Sequence, residues 1–576
     1  MSYTNTSDGS PGTQKWGRVL IAGGTDWPKL GRKEKGGRVE DSEHPDLLEP
    51  HILRSLSNVK AVSVHTSCAG CHTIVLDIEG TAWLFGRNQP AALGVPGVEA
   101  ISENAPRQLR ATDLGAPPGT IFVNAACGRS HSVLVGSNGR VWTAGLNTLG
   151  QCGHTPCSEV STFKLVNGPL NPVTGEQEHV RAAAAGITFT LFLTGHGKIY
   201  ACGSGEKGQL GNGRTGEHIA TGNRTGFDIE SEPIPVKGLD EKKIVHIACG
   251  QQHSIALDDE GLVYVWGYNG YCRLGLGNQK DVLTPQVVPQ FAGPHTQYLG
   301  AKVSAGPSNS VVIDRQGMYY VAGKWKNTGD GSAGQPYSTF RLLQEIMGCK
   351  IRHACSGGVT HFALAPDEEE GGVMTVAWGQ NAANGELGLG PEEPKSATKP
   401  QRNQPLVGIN VFDIVAGQNT AFFLVTPNEK YSDLQRHPAE LDTPEECLIC
   451  HQDNGDPLAC DKCDKPYHHT CLSPPLAAIP DGEWFCPECV RNPGAPIGID
   501  ALNLAGHYAP PAVSSSRKKV GARARDQDEV EDEDGDEDED GDGDDDGDFD
   551  DDDDDDDVGR KRKAPVKRGA VSKRKK

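Results

Sequence analysis

Three features of the 576-residue sequence predict an all-β chain: a seven-bladed β-propeller, then a small metal-held finger and a disordered charged tail. A strand-turn-strand unit recurs along most of the chain. Paired cysteines cluster around residue 460, and an acidic run follows them.

The unit is clearest from Ile247 to Gly277, IACGQQHSIALDDEGLVYVWGYNGYCRLGLG. Two apolar segments, HSIAL and LVYVW, flank an Asp-Asp-Glu-Gly turn, and a Gly-rich exit passes through Arg273-Leu274-Gly275. Apolar, β-branched runs bounded by turn chemistry predict a hairpin. A lone hairpin cannot bury its own face, so its recurrence is what matters. Copies begin near Ser67, Ala125, Ala182, Ser304 and His353, and a half-copy begins at Val415. Their leading glycines are Gly70, Gly128, Gly186, Gly250, Gly306, Gly357 and Gly417. The intervals of 58, 58, 64, 56, 51 and 60 residues suit one four-stranded blade per copy. The seventh copy lacks its second hairpin strand and its Leu-Gly exit. The segment GRVLIAGGTDWPKLG, Gly17 to Gly31, carries both, so the first strand is expected to complete the last blade and remove an open sheet edge.

These repeats resemble the regulator-of-chromosome-condensation family of seven-bladed propellers. GGTDWPKLGRK, WLFGRN and WGYNGYCRLG are most similar to its second, mitotic and centromere-associated branch. The resemblance covers residues 16–428 and implies fold more firmly than activity, because one fold hosts many functions.

Composition sets the outer limits. Residues 1–15 read as a disordered N-terminus, and MSYTNTSDGS has neither the basic start nor the apolar core of a secretory signal. No apolar run approaches a membrane span. Seven of the 17 cysteines belong to the constellation below; the others, including Cys127, Cys249 and Cys355, are expected as buried thiols in a reducing compartment. Residues 526–557 hold 25 acidic side chains, and 15 Lys or Arg lie from Arg517 onward. That leaves 40 basic against 52 acidic residues in positions 1–516, a poor basis for a broad DNA-binding face.

Between Cys447 and Cys489 the spacing is C-x2-C-x9-C-x2-C-x4-H-x2-C-x14-C-x2-C. Thiolate and imidazole suit tetrahedral Zn²⁺, and eight ligands make two sites. So small a module has almost no apolar core, so the two zincs are expected to supply its folding energy, on the order of 10 kcal/mol each. The ligand order, with Trp484 two residues before Cys486, resembles the plant homeodomain (PHD) finger over residues 444–492. The rival with the same ligand order, a ubiquitin-ligase RING variant, has C-x-C as its second pair, against Cys460-x2-Cys463 here.

The PHD resemblance implies cross-bracing. Cys447, Cys450, His468 and Cys471 would hold one zinc, and Cys460, Cys463, Cys486 and Cys489 the other. His469 is the alternative ligand, but the family's H-x2-C spacing favours His468. The resemblance also implies a reader of the histone H3 tail, added as a strand along Asp456-Pro457-Leu458-Ala459. The tryptophan of trimethyl-lysine cages is replaced by Pro466, which favours an unmodified fourth-position lysine over a methylated one. Asp461 and Asp464 would grip the tail's second-position arginine. Carbonyls around Pro480 to Gly482 would hold its terminal amine, and Trp484 would line the peptide site. The alternative is that Asp461 and Asp464 are solvated turn residues capping the knuckles. From Glu445 to Cys489 nine acidic side chains face two basic ones, which suits a cationic peptide.

Residues 493–525 read as a Pro-, Ala- and Ser-rich linker. The acidic tract, 526–557, cannot fold alone and is either a surface for histones and other basic proteins or a solubilising spacer. Residues 558–576 carry Lys-Arg clusters that suit nuclear import or phosphate contact, with import favoured and the nucleus the expected location.

His131-Ser132 and His253-Ser254 sit in one slot of successive repeats, and neighbouring strand residues point to opposite faces, so they are expected to be core or turn residues, not a catalytic pair. No Walker loop, GxSxG elbow or HExxH motif appears. The sequence therefore points to a non-enzymatic, chromatin-associated scaffold. The alternative is a guanine nucleotide exchange factor for a Ran- or Rho-type GTPase bound on the propeller, since exchange on Ran is what the family's founding member implies. The polar insert Arg214 to Glu232 is either a partner-binding loop or a tolerated surface insertion.

Overall fold

The computed structural model describes residues 14–31, 44–220, 222, 224–325, 335–439, 441–455, 457–480 and 482–497. Asp456, the acidic tract, the basic tail and nearly all of the linker lie outside the described residues.

Seven sheets, antiparallel except for one added edge strand, form the propeller. The second blade is representative. Phe122–Cys127 lies innermost, followed by His131–Gly136, Val141–Asn147 and Cys157–Leu165. The second strand is buried along its whole length, because each blade is packed on both faces by its neighbours. It therefore reads as an unbroken apolar run instead of a strict alternation.

Two recurrent polar devices shape several of the units. An aspartate closes the hairpin turn: the Asp258 carboxylate accepts the N–H groups of Gly261 at 2.9 Å and Leu262 at 2.8 Å. An asparagine closes the exit: Asn88, Asn147 and Asn269 accept the N–H groups of Leu93, Cys152 and Leu274 at 2.8–3.0 Å. The third strands carry near their ends a glycine that no other residue replaces easily. Gly145 has φ +111°, and a Cβ there would lie 2.4 Å from the carbonyl of Ser130, the residue just before the adjoining strand.

Adjacent blades are joined by the histidine slot. His131 Nε2 lies 2.9 Å from Thr190 Oγ1 in the third blade, and His253 Nε2 lies 3.0 Å from Ser310 Oγ in the fifth. Both histidines are fully buried, and neither is bonded to the serine that follows it. They are blade-to-blade staples.

The ring closes with strands from both parts of the chain. Asn410–Ala416 and Thr420–Thr426 pair with Arg18–Gly23 and then Leu47–Leu53. The N-terminal region thus contributes two strands to the last blade, one more than its first strand alone. Beyond them Arg436–His437 runs parallel to Leu47–Leu53 and extends this sheet to a fifth strand. The insert after Arg214 holds a short hairpin, His218–Ile219 with Thr225–Gly226, and leads into the third blade's outer strand, Ile229–Pro235. No helix among the described residues is long and apolar enough to cross a membrane.

Candidate metal centres and peptide site

Among its described residues the finger has one two-stranded sheet, Leu458–Ala459 with Pro466–Tyr467, and one short helix, Pro487–Arg491. Its small core gathers Tyr467, Leu472, Trp484 and Phe485 around the cysteines. The Trp484 ring lies edge-on to Tyr467 with centroids 5.7 Å apart.

Cys447, Cys450, His468 and Cys471 form one cluster and Cys460, Cys463, Cys486 and Cys489 the other, with ligand atoms within 4.8 Å of one another in each. The pairs are interleaved along the chain, the cross-brace expected from the resemblance. His468, not His469, turns inward, its Nδ1 lying 3.3 Å from Cys450 Sγ. Cys463 Sγ and Cys486 Sγ are 3.8 Å apart, close to the ~3.8 Å edge of a tetrahedron with Zn–S bonds near 2.3 Å. Backbone N–H groups of His468 and Cys486 point at Cys447 Sγ and Cys460 Sγ, each at 3.3 Å, and so stabilise thiolates. The donor set fits two zinc ions, which would hold the knuckles together and leave no open coordination position for catalysis.

The finger does not hang free. It sits on the propeller's closing blade through a polar seam that the sequence alone did not reveal. Arg54 directs Nη1 to Asp464 Oδ1 and Nη2 to Asp464 Oδ2, each at 2.7 Å, while its Nε donates to the Pro438 carbonyl. Arg18 donates to Glu483 at 2.8 Å and to the Val59 carbonyl at 2.9 Å. Arg436 donates to Asp461 Oδ1 at 3.0 Å. Between these pairs lies Lys462, with no exposed surface, donating to the Ser55 carbonyl at 2.8 Å and also to the Pro493 carbonyl. Burial lowers its pKa to about 8, and the cysteine sulfurs around it act in the opposite direction. Asn58 completes the seam by donating to the Cys489 carbonyl at 2.8 Å. Behind Arg436, His437 Nε2 lies 2.6 Å from Glu103, whose other oxygen accepts the Trp27 indole N–H.

The expected peptide residues therefore have distinct surroundings. One edge of Leu458–Ala459 pairs with Pro466–Tyr467, and the other has no partner strand among the described residues. Asp461 follows that strand; its Oδ2 accepts the Trp484 N–H at 2.6 Å and its Oδ1 faces Arg436. Asp464, expected beside it in the arginine pocket, is turned onto the propeller. Trp484 packs into the finger's core, and Pro480 and Gly482 lie on the finger's surface. The sequence shows Lys462 only as a lysine inside the CDKC knuckle, and its burial arises from the propeller packed against it.

The RCC1-like domain matches residues 18–423, and the PHD-finger matches residues 447–489. The chain belongs to the RCC1-like family. It is 30% identical over 446 residues to the Protein RCC2 homolog of Xenopus laevis, covering 74% of this chain and 80% of that protein. The Regulator of chromosome condensation of the same organism is 26% identical, covering 73% and 92%. Among solved structures, Prp20p of Saccharomyces cerevisiae aligns with a TM-score of 0.56 at 20% identity, covering 73% of this chain and 94% of that one. Human WBSCR16 gives 0.55 at 19%, covering 71% and 99%. These likenesses establish the propeller, and the RCC1-like region ends before the seam residues Arg436 and Asp461 begin.

Proposed function

We propose that this protein is a nuclear, chromatin-associated scaffold whose finger reads the N-terminal tail of histone H3, with the fourth-position lysine unmodified. The propeller is the platform that carries the finger and offers surface for other partners. One observation carries the reading: Asp461 stands at the end of an open-edged strand and is matched to a guanidinium at hydrogen-bond distance. An extended peptide laid along Leu458–Ala459 would gain main-chain hydrogen bonds and bring an arginine to that carboxylate. The finger's acidic balance favours a cationic peptide, and Pro466 leaves no indole for a methyl-lysine cage. The similar propeller Prp20p is described with its binding properties to Gsp1p and histones, which supports a histone-facing role for this chain.

The test is titration of the zinc-loaded full chain with H3 N-terminal peptides. Micromolar affinity, about −7 to −8 kcal/mol, is expected for the unmodified tail, with weaker binding when the fourth-position lysine is trimethylated. Equal binding of both peptides would remove the lysine preference, and no binding would remove the reading. The second reading, exchange on a Ran- or Rho-type GTPase, rests on the binding of Prp20p to Gsp1p. It predicts faster release of labelled GDP in the presence of this chain.

A further inference from the structure

The two aspartates that flank Lys462 are held in unequal ways. Asp464 is bound through both oxygens by Arg54, whose side chain is 5% exposed and is fixed by a further bond to Pro438. Releasing it would strand a buried guanidinium, so it stays on the propeller. Asp461 accepts the Trp484 backbone N–H on Oδ2, but its Oδ1 is held by a single donor of Arg436, and both side chains of that pair remain more than a quarter exposed, 27% and 29%. The Arg436 backbone is fixed beside Ile52 by strand pairing, and His437 is locked on Glu103, so the side chain can leave while its strand stays.

We propose that Arg436 is a built-in competitor at the peptide site. Its guanidinium occupies Asp461 as a ligand arginine does, and a tail enters by exchanging one arginine for another at the rim. Asp464 takes no part in the exchange. This rests on the histone-tail reading above and adds which carboxylate receives the arginine and which residue of the chain opposes it. The propeller thereby sets the threshold of the finger. Because an exposed pair of this kind is weak, the competition is modest and reversible, a factor of about three to five in affinity.

The experiment is peptide titration of the zinc-loaded full chain carrying Arg436→Ala, Asp461→Asn or Asp464→Asn. Asparagine suits position 464, whose φ of +53° it tolerates. Arg436→Ala is expected to bind unmodified H3 peptide three- to fivefold tighter than wild type. Asp461→Asn should bind at least tenfold weaker, and adding Arg436→Ala to it should change nothing further. Asp464→Asn should stay within twofold of wild type. A wild type that binds, with Arg436→Ala unchanged or weaker, overturns the competition while the histone reading stands. Loss of binding in Asp464→Asn equal to that in Asp461→Asn overturns the division between the two carboxylates. Absence of binding in every variant, Arg436→Ala included, overturns the histone reading and the competition with it.

Discussion

Arg54 and Asp464 meet through two parallel hydrogen bonds of 2.7 Å, one partner on the propeller's closing blade and the other directly after the zinc-site Cys463. With Lys462 and the Arg18–Glu483 pair, they turn a propeller and a finger into one body. A finger of this size has little apolar surface to fix its orientation, so charge-assisted hydrogen bonds do so instead.

Removing Arg54 tests that coupling. Arg54→Ala leaves Asp464 and the Pro438 carbonyl without a donor. Asp464 is one-third exposed, so screening limits the loss to about 1–2 kcal/mol. The expected readout is faster amide exchange through Leu458–Arg491, with the Val141–Asn147 strand of the second blade unaffected.

Zinc removal should act on the finger alone. Chelation is expected to release two zinc ions per chain and unfold the finger, while the blades, which use no metal, keep their β-sheet signal. Lys462, shielded in the holo protein, should become reactive to amine-labelling reagents at the same metal stoichiometry.

The propeller should be acid-labile. Burial holds His65 and His131 down to about 3 and His72 and His361 down to about 4, from an ordinary 6.5. These groups are neutral when folded and take up protons when unfolded. Their contribution is complete above about pH 6.5 and is lost as pH falls toward their folded values. Each adds a slope of about 1.4 kcal/mol per pH unit between those limits. Four together exceed what a typical domain can lose over two to three units, so unfolding is expected between about pH 6 and 4. Denaturant titrations of His131→Gln across that range should show a shallower slope by about one proton.

Gly145→Ala should be among the most damaging small substitutions. Its left-handed backbone and the 2.4 Å approach of the Ser130 carbonyl leave no room for a methyl group. A loss of about 2–4 kcal/mol is expected in chemical denaturation.

Much of this architecture was legible because repetition multiplies weak signals. A single glycine such as Gly128 says little, but the same glycine ahead of seven apolar runs marks a blade. The zinc ligands were legible because tetrahedral coordination restricts spacing. Arg54, Arg436 and Arg18 were not, since each lies in an ordinary strand or strand end and meets its acidic partner only through the tertiary fold. Asp461 and Asp464 look equivalent in CDKCDK; the propeller behind them makes them different.

Engagement of the H3 tail through Asp461 is measured most directly by binding of the full chain to nucleosomes whose H3 either begins at its natural first residue or lacks its first few residues. Truncation is expected to weaken binding about tenfold, and Asp461→Ala to remove the difference. Equal affinity for both nucleosomes by the wild-type chain would contradict engagement of the tail.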